Sequence, residues 1–242
     1  MKITTLEISK VEFDKIDESE RIFYIIIGHL SNEITTLEKL LFLSITFSDT
    51  NKTLGSINAS QSLLIARLIA GKVSEGWELL QKAFFASKVS KVVEPDLSVE
   101  GRNALAELKR YFGKENLIRK LRNEFSFHYS PENVRKQLPS VKDIEELEIC
   151  VTEKDEPFFV YSEELITKAI LEEIDKSDYE KALDKLFAEI MKITRNFRIF
   201  CAESAILMMH KYKISPPHVE TDFPSLHYNK KLEVPFLFSD YK

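Results

Sequence analysis

Glycine is scarce in this chain and confined to its first half. Only 6 of the 242 residues are glycine, against about 17 at average usage. Gly113 is the last of them, so the final 129 residues contain none. Gly28, Gly55, Gly71, Gly76, Gly101 and Gly113 are too scattered to build G-x-G-x-x-G or G-x-x-x-x-G-K-[ST], which excludes the glycine-rich phosphate cradles. Barrels and sandwiches need many tight turns. The first 94 residues also lack proline, and four of the 8 prolines collect after Ser215. The expectation is a mainly α protein, an antiparallel helical bundle with a small β-hairpin insertion.

Apolar periodicity supports this. Ile22, Ile26, Leu30, Ile34, Leu37 and Leu41 recur every three or four residues, one helical face, and predict a helix from Glu18 to about Phe47. Asp49-Thr-Asn-Lys reads as its closing turn. Ser56 to Asn58 offer N-cap side chains for a second helix reaching about Ser87. Gly71 and Gly76 inside it cost roughly 1 kcal/mol each against alanine, so close packing against the first helix is expected there. Two long helices joined by a short loop read as an antiparallel hairpin. Ser98 starts a further helix, and Gly113 fits its C-terminus. Glu115 to Phe125 reads as a short helix, broken by Ser130-Pro131, where Ser130 can cap and Pro131 can open the next turn.

Residues 145–161 carry the clearest strand signal. Leu147, Ile149 and Val151 alternate with Glu148, Cys150 and Thr152, and Phe158 to Tyr161 follow a polar turn. Ser162 then opens a helix. A long helix is predicted from about Asp178 to Tyr212, facing the core with Leu183, Leu186, Ile190, Ile193, Phe197, Phe200 and Ile206-Leu207. Residues 1–16 read as a short strand or extended arm. Residues 1–215 are taken as one helical domain, and 216–242 as an extended proline-rich tail over the surface.

No run of about 18 apolar residues is present, so no membrane span is expected, and a cytoplasmic location follows by default. Cys150 and Cys201 sit in apolar surroundings and read as buried free thiols. A net charge of −5 argues against whole-surface nucleic-acid binding. The charge is nevertheless segregated. Residues 102–136 hold nine Lys/Arg and four Glu, whereas 143–189 hold sixteen acids and five lysines. The plain reading of the acidic block is a solvated face.

Within the basic island stands Ile118-Arg-Lys-Leu-Arg122-Asn123-Glu-Phe-Ser-Phe-His128-Tyr129-Ser-Pro131. His128 can give or take a proton near neutral pH. Arg122 carries a permanent charge that forks onto phosphate oxygens, and Asn123 can donate and accept beside it. That set suits RNA cleavage by attack of the ribose 2′-hydroxyl on the adjacent phosphate, with no metal and no cofactor. On a straight helix Arg122 and His128 would lie about 120° apart. The helix must therefore end or distort near Phe125, or a second chain must supply partners.

This stretch resembles the R-x(4–6)-H motif of the HEPN superfamily. Arg122 matches its arginine, Asn123 its following polar residue and His128 its histidine, and the segment from Arg67 to Trp77 is similar to the corresponding helix of bacterial members. The resemblance implies an all-helical bundle, often a homodimer with two motifs facing each other. In active members it implies a metal-independent endoribonuclease of toxin–antitoxin or anti-phage defence systems, with a cognate antitoxin as partner. The alternative is a non-catalytic module that binds RNA, a nucleotide or a protein. A third reading makes Arg122 and His128 purely structural.

Catalytic candidates are thus Arg122, His128 and Asn123. Candidates for RNA or phosphate binding are Arg119, Lys120 and Tyr129, with Arg119 three residues before Arg122 on a helix and Tyr129 able to stack on a base. His29 and Glu33, at i and i+4, are too few ligands for zinc. His218 and His227 read as surface histidines, Met208-Met209-His210 as core with a polar edge, and Trp77 as core or dimer interface.

Overall fold

The computed structural model describes residues 2–45, 52–126, 131–139, 147–151, 157–214 and 217–222. The protein is mainly helical. In chain order the elements are β1 (Lys2–Leu6), α1 (Lys10–Phe13), α2 (Glu18–Ile45), α3 (Lys52–Leu80), α4 (Val89–Val93), α5 (Val99–Phe112), α6 (Leu117–Leu121), α7 (Pro131–Gln137), β2 (Cys150–Val151), β3 (Pro157–Phe158), α8 (Val160–Glu172), α9 (Tyr179–Lys211) and β4 (His218–Asp222). Wider π turns follow α3 at Gln81–Phe85 and α6 at Arg122–Ser126. Among the described residues the strands form two separate two-stranded sheets.

The chain divides into two compact units. The first takes in the described residues up to Thr35, Glu75–Lys114 and those from Thr194 on; the second takes in Thr36–Ser74 and Glu115–Ile193. Helices α2, α3 and α9 each contribute to both.

The core of the first unit is aromatic. Phe23, Phe84 and Phe200 are fully buried. Phe23 stacks on Phe84 at 5.1 Å, and Phe84 meets Phe200 edge-on at 5.2 Å. Such pairs contribute about 0.5–1.5 kcal/mol beyond their buried area. Trp77 belongs to the same core, stacked on Phe112 at 5.1 Å. Leu30 of α2 lies against Gly76 of α3, where an added Cβ would stand 2.8 Å from Leu30 Cδ2. Phe23 meeting Phe84 while Leu30 meets Gly76 makes α2 and α3 antiparallel, and the close approach expected at Gly76 is present.

Helix α5 starts where Ser98 caps it, its Oγ accepting from the Glu100 and Gly101 amides. Glu203 of α9 completes that cap. Its carboxylate accepts from Ser98 N at 3.1 Å and from Ser98 Oγ at 2.5 Å. Gly101 leaves room for it, since an added Cβ would overlap Glu203 Oε2. Gly113 ends the helix with φ −71°, an ordinary right-handed conformation. A Cβ there would lie 2.8 Å from the Lys109 carbonyl oxygen, so close approach, not a left-handed backbone, accounts for this glycine.

Strand β1 pairs antiparallel with β4, Lys2 opposite Asp222 and Leu6 opposite His218. The arm at the N-terminus is therefore a strand, and its partner comes from the start of the tail. Residues 223–242 lie outside the described residues. Between strand and helix, Ser9 and Glu12 form a capping box that opens α1.

In the second unit, Ser62 Oγ of α3 lies 3.0 Å from Ser44 Oγ of α2. Helix α3 begins at Lys52, ahead of the caps expected at Ser56 to Asn58; of the turn expected at 49–52, residues 49–51 lie outside the described residues and Lys52 is already helical. Ser56 is instead a helical residue whose Oγ reaches Glu164 of α8 at 3.4 Å and whose carbonyl accepts from Ser60 Oγ. The hairpin is present, with Cys150 opposite Phe158 and Val151 opposite Pro157. Beyond Phe158 the chain turns into α8, which begins at Val160. Cys150 packs on a buried cluster of Ile57, Phe158 and Val160. Helix α9 matches its expected span closely, and Leu186, Ile190, Ile193, Phe197 and Phe200 are buried as expected. At its C-terminal end Ser204 and Met208 are buried, while Ile206 is exposed.

Candidate functional site

The motif segment lies in the second unit. Asn116 caps α6, its side chain accepting from Arg119 N at 2.8 Å. Ile118 and Leu121 are the buried face of this one-turn helix. That face fixes which way its polar residues point: Arg119 is half-buried and Lys120 exposed. Lys120 Nζ donates to Glu173 at the end of α8, and this hydrogen bond holds the ammonium above its ordinary pKa against a smaller opposing effect of burial.

At Arg122 the backbone leaves α geometry and widens into the π turn that runs to Ser126. The distortion demanded near Phe125 is therefore present. Phe125 is buried and anchors the turn. Arg122 is half-buried, and its guanidinium donates to Asn123 Oδ1 at 3.0 Å. Asn123 is exposed. From α3, Arg67 donates through a guanidinium nitrogen to the Phe125 carbonyl at 3.4 Å, so a second arginine closes the end of the turn. π turns inside helices are rare and concentrate at functional sites.

The structure thus brings Arg119, Lys120, Arg122 and Asn123 onto one short segment. His128 and Tyr129 lie outside the described residues, as does Ser130; Pro131 is the first residue of α7. Arg67 is the addition that motif reasoning missed. Its signal was its place in the α3 series, a charge at helical spacing from Leu63, Leu64 and Gly71.

The basic island is divided between the units. Arg102, Lys109, Arg110 and Lys114 belong to the first, and Arg119, Lys120, Arg122, Arg135 and Lys136 to the second. Several of its cations are paired locally: Lys109 with Glu94, Arg110 with Glu107, Lys120 with Glu173 and Arg135 with Glu132. Exposed pairs of this kind contribute only about 0–1 kcal/mol, so a polyanion can compete for the same cations.

Among the described residues no group of three or more His, Cys, Asp or Glu is arranged to hold a metal. His29 Nε2 lies 3.5 Å from Glu33, on an exposed helix surface. His218 is exposed on β4, and His227 lies outside the described residues. Both described cysteines are free thiols, Cys201 buried and Cys150 half-buried. No described helix is long and apolar enough to cross a membrane. No family model matches the chain, and neither a curated protein nor a solved structure matches it.

Proposed function

We propose that the protein is a HEPN-like, metal-independent endoribonuclease of a toxin–antitoxin or anti-phage defence type. One observation carries this reading: the helix bearing Arg122 gives way to a π turn at that residue. The segment is therefore not the straight α-helix on which Arg122 and His128 would lie about 120° apart. Arg122 would stabilise charge on the scissile phosphate, with Asn123 fixing its guanidinium. His128 would move the proton of the attacking 2′-hydroxyl or of the leaving 5′-oxygen. Arg119, Lys120 and Tyr129 would hold the flanking phosphates and base. The helical-bundle family, a homodimer with paired motifs and a cognate antitoxin belong to the same reading.

The test is direct. The full chain, incubated with a mixed RNA pool in excess EDTA, is expected to leave 2′,3′-cyclic phosphate ends. Removing an acid–base group commonly costs about 10²–10⁴-fold in rate, so His128→Ala should reduce cutting by that order while the melting temperature stays unchanged. Equal inertness of wild type and variant would end the enzyme reading. RNA binding without cleavage, lost in Arg122→Ala, would replace it with a non-catalytic binding module.

A further inference from the structure

The ribbon β1–β4 is exposed on both faces. Each residue from Thr4 to Leu6 and from His218 to Asp222 is exposed, and both strands belong to the first unit. A two-stranded ribbon is marginal by itself and gains independent stability from further strands or a covering helix. Its ladder alternates. Glu7 N donates to the Pro217 carbonyl, and Thr5 with Val219 and Ile3 with Thr221 are the next pairs in step with it. These residues therefore turn their N–H and C=O groups toward the partner strand. Thr4 and Leu6 on β1, and His218, Glu220 and Asp222 on β4, turn theirs away. Among the described residues no third strand takes up either outward row.

The two outward rows are not alike. That of β4 has Glu220 at its centre and Asp222 at its end. Pairing β4 with a copy of itself about its midpoint would set Glu220 against Glu220, and like charges directly opposite each other are destabilising. Charged residues are one of the ways in which proteins blunt a sheet edge. Strand β1 has no such guard, since residues 3–6 read Ile-Thr-Thr-Leu. An unguarded edge is a template for another strand.

A second copy fits this edge along its whole length. Antiparallel pairing centred on Thr4 sets Thr4 opposite Thr4, Thr5 opposite position 3 and Leu6 opposite position 2. All 5 residues of β1 are then used, and no two like charges meet. The pairing supplies roughly six backbone hydrogen bonds, and a Thr–Thr pair at its centre is a favourable cross-strand match. It also joins two uncharged patches. Thr5, Val219 and Thr221 share one face of the ribbon, and pairing through β1 lays the two copies of that face side by side. The guarded β4 strands become the outer edges. Five residues of strand edge fall short of the roughly 800 Å² per partner of a tight complex, so the association is reversible.

We infer that β1 pairs antiparallel with β1 of a second copy about Thr4, forming a four-stranded sheet in the order β4–β1–β1–β4 across a two-fold axis. The inference does not rest on the nuclease reading, whose described residues lie in the second unit. Sedimentation of the full chain from about 1 to 200 µM, with amide exchange followed residue by residue by NMR, tests it. The Thr5 amide should be protected at every concentration, and the Thr4 and Leu6 amides only as a dimer forms. Thr4→Lys, an exposed substitution that leaves the β1–β4 bonds in place, should weaken association at least about tenfold by setting two ammonium groups against each other. Mixing Thr4→Lys chains with Thr4→Glu chains should restore it. A chain that stays monomeric throughout overturns the inference. Protection of Thr4 and Leu6 in a sedimenting monomer also overturns it and assigns the edge to another segment of the same chain. A dimer indifferent to both Thr4 substitutions places the interface elsewhere and overturns it as well.

Discussion

Gly101→Ala should destabilise this protein, although alanine is the better helix former. In an unobstructed helix the change would be favourable by about 0.5–1 kcal/mol. Here the new Cβ would overlap Glu203 Oε2 and lie 2.8 Å from Glu203 Cδ. The carboxylate can swing away, but only by giving up its bonds from Ser98 N at 3.1 Å and Ser98 Oγ at 2.5 Å. Hydrogen bonds to a charged group contribute about 1.5–3 kcal/mol each when well shielded. This site is exposed, so about 1–2 kcal/mol for the pair is the appropriate scale. The loss exceeds the helix gain, and the net expectation is about 0.5–1.5 kcal/mol of destabilisation. Glu203→Ala removes the obstacle, and in that background Gly101→Ala should become neutral or stabilising. Urea unfolding of the wild type, both single variants and the double variant gives the coupling energy, expected at about 1–2 kcal/mol. Independent sites add to within about 0.3–0.5 kcal/mol. Additivity within that margin, or a stabilising Gly101→Ala in the wild-type background, would refute the reasoning.

The two cysteines should separate cleanly by reactivity. Burial pushes the Cys201 thiol up to about 12, so native protein at pH 8 should take up a thiol reagent at Cys150 and not at Cys201 until it unfolds; equal labelling rates by mass spectrometry would contradict this. The start of α2 should loosen in acid. Asp17 accepts from Ser19 N at 3.0 Å and Ser19 Oγ at 2.6 Å, and these bonds, the side-chain one first, hold its carboxyl below the usual range. A lowered folded pKa means that the stabilisation is present at neutral pH and lost as pH falls through that lowered value. The protection factor of the Ser19 amide, its exchange corrected for the intrinsic pH dependence, should fall over that interval, and Asp17→Asn should abolish that fall while leaving protection elsewhere in α2 unchanged.

How far the fold was legible depends on what periodicity can record. Helix α9 was readable to within a residue at each end, because a 33-residue helix repeats its apolar spacing many times. Near its C-terminus the same geometry defeats a residue-by-residue reading. The buried line steps from Phe200 to Ser204 to Met208, so a serine goes inside and Ile206 goes out. Helical spacing decides which positions face inward, and hydrophobicity only reports it on average. A lone serine misleads in the same way: Ser56 looks like a cap, yet from within α3 its hydroxyl reaches Glu164 of α8. Glycine is harder still. Gly76 and Gly101 are needed because Leu30 and Glu203 approach them, and neither partner is near in sequence.

The candidate site shows the same division between local and distant information. Arg122 and Asn123 are adjacent, so their hydrogen bond is legible in the sequence, and the departure from a straight helix that the proposed pairing with His128 needs follows from rotation per residue alone. Arg67 stands 55 residues before Arg122, and only the packing of α3 beside the π turn brings its guanidinium to the Phe125 carbonyl. An arginine at helical spacing within an apolar series signals that something polar awaits it on the far side, but not what. Here the acceptor is the last part of a widened turn, where a backbone carbonyl displaced from α geometry needs a donor. The residue that satisfies the distortion and the residues that would use it therefore come from different parts of the chain, and the catalytic reading of the motif depends on both.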